Sequence, residues 1–253
     1  MELQLIRNAT MILDYGGQRF LLDPDFGLKF SRPSFTGKSP NPMVDLPMPT
    51  ELILENVQAV IVSHLHADHF DKVAQEIVPK TLPLFCQPGN EAKIREKGFE
   101  NVTPIPDKLT WNGVTITRTD GHHGLEYVET QMGRVSGFAF QAEDEPTVYW
   151  TGDTVMCAEV REAITRFQPT IIITHSSGAS WLNEAGGRQL IVMDDQQTVE
   201  VSRLAPKSMV IAVHMEALDH ATVTRADLRA TAQRAGISDK QLLIPDDGAV
   251  LNL

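Results

Sequence analysis

The sequence predicts an α/β fold in a single domain over 1–253, and three observations predict it. Short apolar runs of strand length alternate with stretches of helical length through both halves of the chain. Several of those runs end on a histidine or an aspartate, as expected where strands present side chains at one sheet edge. A content of 42% hydrophobic and 22% charged residues in 253 positions allows a sizeable core and gives no sign of disorder.

The chain opens as a small antiparallel unit: apolar runs at 3–6 and 11–14, a turn at Gly16-Gly17, and a third run at 19–22 closed by Asp23-Pro24. Prolines at 24, 33, 40, 42, 47 and 49 remove periodicity from residues 24–50, which predicts a long irregular loop of the kind that borders functional sites. A strand over 57–63, a helix over 71–77 ended by Pro79, a strand at 82–86, a helix at 90–97 closed by Gly98 and a short strand at 102–105 follow. Two hairpin-like pairs come next, 109 with 114–119 and 137–141 with 147–150. The second half reads as helix 157–167, strand 170–174, loop 175–193, helix 194–204, strand 209–213, helix 224–235 and a final strand pair near 241–252. No short sequence repeat is present; the two halves share only the order of their elements.

The segment Ser63-His64-Leu65-His66-Ala67-Asp68-His69 places three imidazoles and a carboxylate in six positions directly behind the apolar run 60–62. Side chains alternate faces in an extended stretch, so His64 and His66 point the same way and can share one ion. Asp68 and His69 follow where the chain turns, which suits a second ion. Imidazole nitrogen and carboxylate oxygen are what Zn²⁺ and similar divalent ions accept. Only eight histidines occur in the chain, so a chance cluster on a surface turn is a poor account. Four ligands cannot complete two coordination spheres, and further candidates stand after other apolar runs: His122 and His123, Asp153 in Gly152-Asp153-Thr154, and His214 after 210–213. Taken alone, Asp153 could be a helix N-cap.

In these motifs, in their order and over nearly its whole length, the chain resembles the metallo-β-lactamase superfamily of metal-dependent hydrolases. Leu21-Leu22-Asp23-Pro24 and the proline-rich loop give it a narrower resemblance to the L-ascorbate-6-phosphate lactonase-like branch. The resemblance implies a four-layer αβ/βα sandwich with two divalent ions at one edge, Zn²⁺ first, Mn²⁺ or Fe²⁺ as alternatives. Carried over by position, it implies His64, His66 and His123 on one ion, Asp68, His69 and His214 on the other, and Asp153 between them. His122 and His123 both stand where one ligand is expected, and His123 is preferred. The implied chemistry is hydrolysis of a small-molecule ester, lactone or phosphoester by a hydroxide held on one or two ions. Asp68 would also orient the nucleophile and pass on its proton. His220 is a second catalytic candidate, with Glu216 and Asp219 beside it as groups that could orient ligands or touch substrate. His175 and Trp181 are candidates for the pocket wall.

Rival functions are a di-iron oxidoreductase or a ribonuclease or phosphodiesterase of the same superfamily. The former resembles His-x-Glu-x-Asp-His, and this chain has His66 at the third position of that pattern, which argues against it. A net charge of -11 opposes binding to a polyphosphate, so no nucleic-acid partner is expected. No membrane-spanning run or signal segment is read in the sequence. Cys86 and Cys157 lack CxxC spacing and suggest a reducing cytoplasm; Cys157 reads as a buried thiol, with a soft-metal role the lesser alternative. A small-molecule substrate is the expected partner, and a homo-oligomeric state stays open.

Overall fold

The computed structural model describes residues 1–253. The amino-terminal runs form an antiparallel meander of β1 (Glu2–Arg7), β2 (Thr10–Tyr15) and β3 (Gln18–Leu22). After the long loop and the short α1 (Thr50–Ile53), the chain adds β4 (Ala59–Val62), α2 (Lys72–Ile77), β5 (Leu84–Cys86), α3 (Glu91–Arg95) and β6 (Val102–Pro104). Strands β3 to β6 pair in parallel, as crossover helices require. Asp71 is the N-cap of α2, its carboxylate accepting from the backbone of Val73 and Ala74, which fixes where the histidine-rich turn ends.

A second meander follows, β7 (Lys108–Trp111), β8 (Val114–Gly121), β9 (Val135–Gln141) and β10 (Val148–Trp150), with α4 (Glu126–Met132) between β8 and β9. The remaining elements are α5 (Ala158–Phe167), β11 (Ile171–His175), the hairpin β12 (Ser180–Leu182) and β13 (Arg188–Leu190), α6 (Asp195–Leu204), β14 (Met209–Val213), α7 (Arg225–Arg234), β15 (Leu242–Leu243) and β16 (Val250–Asn252). Two seven-stranded sheets result, in the orders β16-β1-β2-β3-β4-β5-β6 and β15-β14-β11-β10-β9-β8-β7.

Leu13, Phe20 and Ile61 of the first sheet meet Phe138, Phe140 and Trp150 of the second in one buried layer. Truncating a buried aromatic in such a layer costs about 3–5 kcal/mol. On the far face of the first sheet Val60 and Val62 pack with Ala74 and Ile94 of its helices. On the far face of the second, Tyr149, Ile172 and Val210 pack with Val160, Val199 and Leu228. Strands covered on both faces carry continuous apolar runs, which is why 60–62 and 210–213 lack alternation. The layers are helix, sheet, sheet, helix: the four-layer sandwich is present.

Three local expectations differ. The strands near 241–252 do not pair with each other; β15 joins β14 while β16 closes the first sheet against β1, so the chain end ties the two sheets together. Residues 175–193 are not all loop, because β11 runs on to His175 and β12 and β13 pair within the remainder. Helix α4 had no counterpart in the sequence reading. It packs through Val128 and Met132 onto Ile191, Val192 and Trp181, so α4 and the hairpin region form one small satellite core.

Candidate metal centre

Every candidate ligand lies just beyond the carboxyl end of a strand, and both sheets contribute. His64 to His69 follow β4, His123 follows β8, Asp153 follows β10 and His214 follows β14. The positions are set by backbone contacts: His69 N–H donates to His66 O at 3.0 Å, and His214 N–H donates to Asn8 O at 2.8 Å. Asn8 Nδ2 also donates to the carbonyl of Asp68 at 3.3 Å, so one side chain and its own carbonyl link the two sheets at the site. Gly152, just before Asp153, has φ +64°, and a Cβ there would lie 2.4 Å from the Ser136 carbonyl oxygen. Only glycine fits that turn.

Two groups of donor atoms form. His64, His66 and His123 bring ring nitrogens within 4.8 Å of one another, and His69, Asp153, His175 and His214 do the same. Asp153 stands between the groups: its Oδ2 is 3.1 Å from His69 Nε2 and 3.6 Å from His123 Nε2, and its Oδ1 is 3.5 Å from His214 Nε2. Asp68 Oδ2 faces His214 Nε2 at 3.2 Å and His69 Nε2 at 3.4 Å. His122 points away, to Glu129 and Glu159, while His123 is buried in the centre.

Hydrogen bonds determine which nitrogens are bare. Ser63 Oγ donates to the Asp23 carboxylate at 2.6 Å, so it can only accept from His64 Nδ1 at 3.0 Å. His69 Nδ1–H donates to Asp23 Oδ2 at 2.7 Å, and His123 Nδ1–H donates to the Ile191 carbonyl at 2.8 Å. All three imidazoles thereby turn a lone-pair Nε2 toward the centre, and His64 Nε2 is buried with no partner. His214 Nδ1 also lacks one. Around His69 Nε2, the Asp68 and Asp153 oxygens and His214 Nε2 converge, two carboxylates on two imidazoles, a set that holds either protons or a metal cation. Histidine with carboxylate suits Zn²⁺, Mn²⁺ or Fe²⁺. Each group offers the donor set of a divalent-ion site.

His175 belongs to the second group by distance and not by chemistry. The Trp150 indole N–H donates to its Nε2 at 2.8 Å, so its proton sits on Nδ1 and is donated to Asp153 Oδ1 at 2.5 Å. It orients the carboxylate and has no lone pair to offer. Asp23 is a functional residue that the sequence does not announce, since Leu-Leu-Asp-Pro carries no ligand pattern of its own. Its carboxylate holds His69 directly and His64 through Ser63.

Electrostatics divide the two groups. Burial, with His69 and His66 close by, holds His64 well below the usual imidazole pKa, and burial pushes His123 down to about 4. Burial opposes charge on His69 too, but Asp153, Asp68 and Asp23 outweigh it and raise its pKa well above the usual value. His214 rises likewise against burial, through Asp153 and Asp68. Both Asp68 and Asp153 are held well below the usual carboxylate range, burial being overcome by His69 and His214.

A cavity of about 170 Å³ opens onto the centre, with Ala67, Phe35, Met132, Trp181, Ile191 and His220 lining it beside the candidate ligands. Its wall therefore comes from the proline-rich loop and from the satellite core. Asp219 holds that loop: it accepts from Phe35 N at 3.0 Å, Thr36 Oγ1 at 2.6 Å and Asn41 Nδ2 at 2.9 Å, and from Ser34 Oγ. Burial works to raise the Asp219 pKa, and the bonds from Ser34, Thr36, Asn41 and Phe35 hold it well below the usual range. The Phe35 ring packs edge-on to His220 at 4.9 Å. Glu216 touches neither ligand nor cavity; its carboxylate pairs with Arg225 at 2.5 Å and braces the start of α7.

Residues 18–215 match a family model described as a Beta-lactamase superfamily domain. The chain is 35% identical to the UPF0173 protein YddR of Bacillus subtilis, over 98% of each chain. A crystal structure of a possible metal-dependent hydrolase from Veillonella parvula superposes with a TM-score of 0.95 at 35% identity, covering 100% of this chain and 99% of that one. A crystal structure of an isothiocyanate hydrolase from Delia radicum gut bacteria superposes with a TM-score of 0.91 at 36% identity, again covering 100% and 99%.

Proposed function

The chain belongs to the metallo-β-lactamase superfamily of metal-dependent hydrolases, and from that premise we propose that it hydrolyses a small, neutral, largely apolar molecule at an electrophilic unsaturated carbon, isothiocyanates being the leading class. The observation that carries this reading is the pairing of a bare-nitrogen ligand cage with a small cavity whose remaining wall is Phe35, Met132, Trp181 and Ile191. No lysine or arginine lines that cavity, so a phosphoester would find no cationic side chain to hold it. The likeness to an isothiocyanate hydrolase over the full length supports the same class.

His64, His66 and His123 would hold one ion, and His69, Asp68 and His214 the other, with Asp153 shared. Divalent ions bound there supply Lewis acidity and bring the pKa of water toward neutrality. The chain's own groups do the rest. Asp68, ionised and at the cavity floor, orients the attacking water and takes its proton. Burial lowers the His220 pKa, so His220 would hydrogen-bond to the leaving atom as a neutral imidazole while the proton that atom needs passes from Asp68. The apolar wall excludes bulk water and seats the organic tail. For an isothiocyanate, the water oxygen bonds to the central carbon, the carbon–nitrogen bond breaks, and both water protons end on nitrogen, giving an amine and carbonyl sulfide.

The test is a panel of alkyl and aryl isothiocyanates, lactones and phosphodiesters, run on protein of measured metal content. Amine release from isothiocyanates, abolished by chelator and restored by Zn²⁺ or Mn²⁺, is the expected outcome. Turnover that survives complete metal removal, or a preference for phosphodiesters, would overturn it. The ester or lactone reading needs the same cage and is decided by the same panel.

A further inference from the structure

His122 and Cys157, both singled out in the sequence and neither used by the catalytic centre, meet on the other side of the strand end that carries His123. His122 Nδ1 lies 2.6 Å from Glu129 Oε1, and its Nε2 lies 3.3 Å from Glu159 Oε2. The donor atoms of His122, Cys157 and Glu159 are all within 4.8 Å of one another. We propose that His122, Cys157 and Glu159, with Glu129 behind the imidazole, form a third metal site, selective for a thiophilic divalent ion such as Zn²⁺.

The geometry supplies each requirement. A carboxylate on Nδ1 fixes the tautomer and leaves Nε2 free to ligate, which is how ligating histidines are usually held. Two light-atom ligands at ~2.0–2.1 Å in a tetrahedral sphere stand about 3.3 Å apart, as His122 Nε2 and Glu159 Oε2 do. Sulfur with nitrogen and one carboxylate favours zinc over magnesium or calcium, and three protein ligands leave one position for water. Partial exposure of His122, Cys157 and Glu159 gives an ion a route in.

The site joins two segments that serve the catalytic centre. His122 precedes His123, and its backbone N–H donates to Thr154 Oγ1 at 2.9 Å. Thr154 follows Asp153, and its hydroxyl lies 3.7 Å from Cys157 Sγ at the start of α5. An ion here would brace the turn holding Asp153 against the turn holding His123. The inference is independent of which substrate the enzyme takes.

Cobalt reports on this site alone, because the catalytic donors are nitrogen and oxygen and only a thiolate gives Co²⁺ an intense near-ultraviolet charge-transfer band. Titrating metal-loaded wild type with Co²⁺ is expected to develop that band with about one further equivalent per chain, and Zn²⁺ to bleach it. Cys157→Ser should lack the band while keeping its catalytic metal content and its circular dichroism. Glu129→Gln, which leaves all three ligands in place, should keep the band at about 10-fold or more weaker affinity. No band at saturating cobalt, or a band undiminished in Cys157→Ser, would overturn the site.

Discussion

The trio His64, His66 and His123 and the mixed group His69, Asp68, Asp153 and His214 lie side by side, yet their electrostatics are opposite. In the trio, burial holds His64 and His123 below the ordinary imidazole pKa, and Asp153 is the carboxylate that acts on them. The mixed group concentrates carboxylates on two imidazoles and, without a cation, retains protons there. One half of the centre offers imidazoles alone, and the other adds carboxylate charge. An ion bound by the trio would keep most of its positive charge for substrate, whereas one bound by the mixed group would be largely neutralised.

The most severe way to erase that contrast is Asp153→Ala, since this carboxylate faces both groups. It should remove metal from both and lower kcat/KM by about 1,000-fold or more. Metal analysis that still finds both ions in the variant would contradict the shared role. Asp23→Asn is next, because Asp23 holds His69 directly and His64 through Ser63; about 10- to 100-fold weaker metal binding in both groups is expected, read by chelator competition. Loss confined to one group would show that only one of those links matters.

Acid separates the groups without mutation. A raised pKa means the ligand takes up its proton at higher pH, so protons displace the ion from the mixed group first as pH falls. The trio should keep its ion until much lower pH, with His123 protonating only near 4. Metal release measured across an acid titration should therefore come in two steps, and a single step would remove the distinction. Ser63→Ala is the gentlest test: it frees His64 Nδ1 and takes one donor from Asp23, a loss of about 1 kcal/mol, or roughly fivefold in affinity, larger in the trio than in the mixed group, where His69 keeps its bond to Asp23.

Much of this centre was legible in the chain. Ligand types at the ends of apolar runs follow from alternation and strand length, and they fall where those patterns put them. What escaped depends on which strands become neighbours. Asp23 acts because β3 pairs in parallel with β4, setting its carboxylate against Ser63 N at 2.7 Å, and no local pattern announces that pairing. His175 is committed to Asp153 because Trp150 on the adjacent strand fills its other nitrogen. Strands β15 and β16 looked like partners because they are close in sequence, yet burial of Leu242 and the edge beside β1 draw them to opposite sheets. Helix α4 is stabilised by Val128 and Met132 against the satellite core, contacts that 126–132 alone does not reveal.

The division of donors between the sheets has a consequence for assembly. Residues up to 105 contribute only the cluster from 64 to 69, and the remainder contributes only 123, 153 and 214. Neither half, produced as a separate polypeptide, has a complete cage to fill. Mixing the two fragments should restore tight ion capture only when they dock, so the cations act as a latch that rewards correct closure of the sandwich.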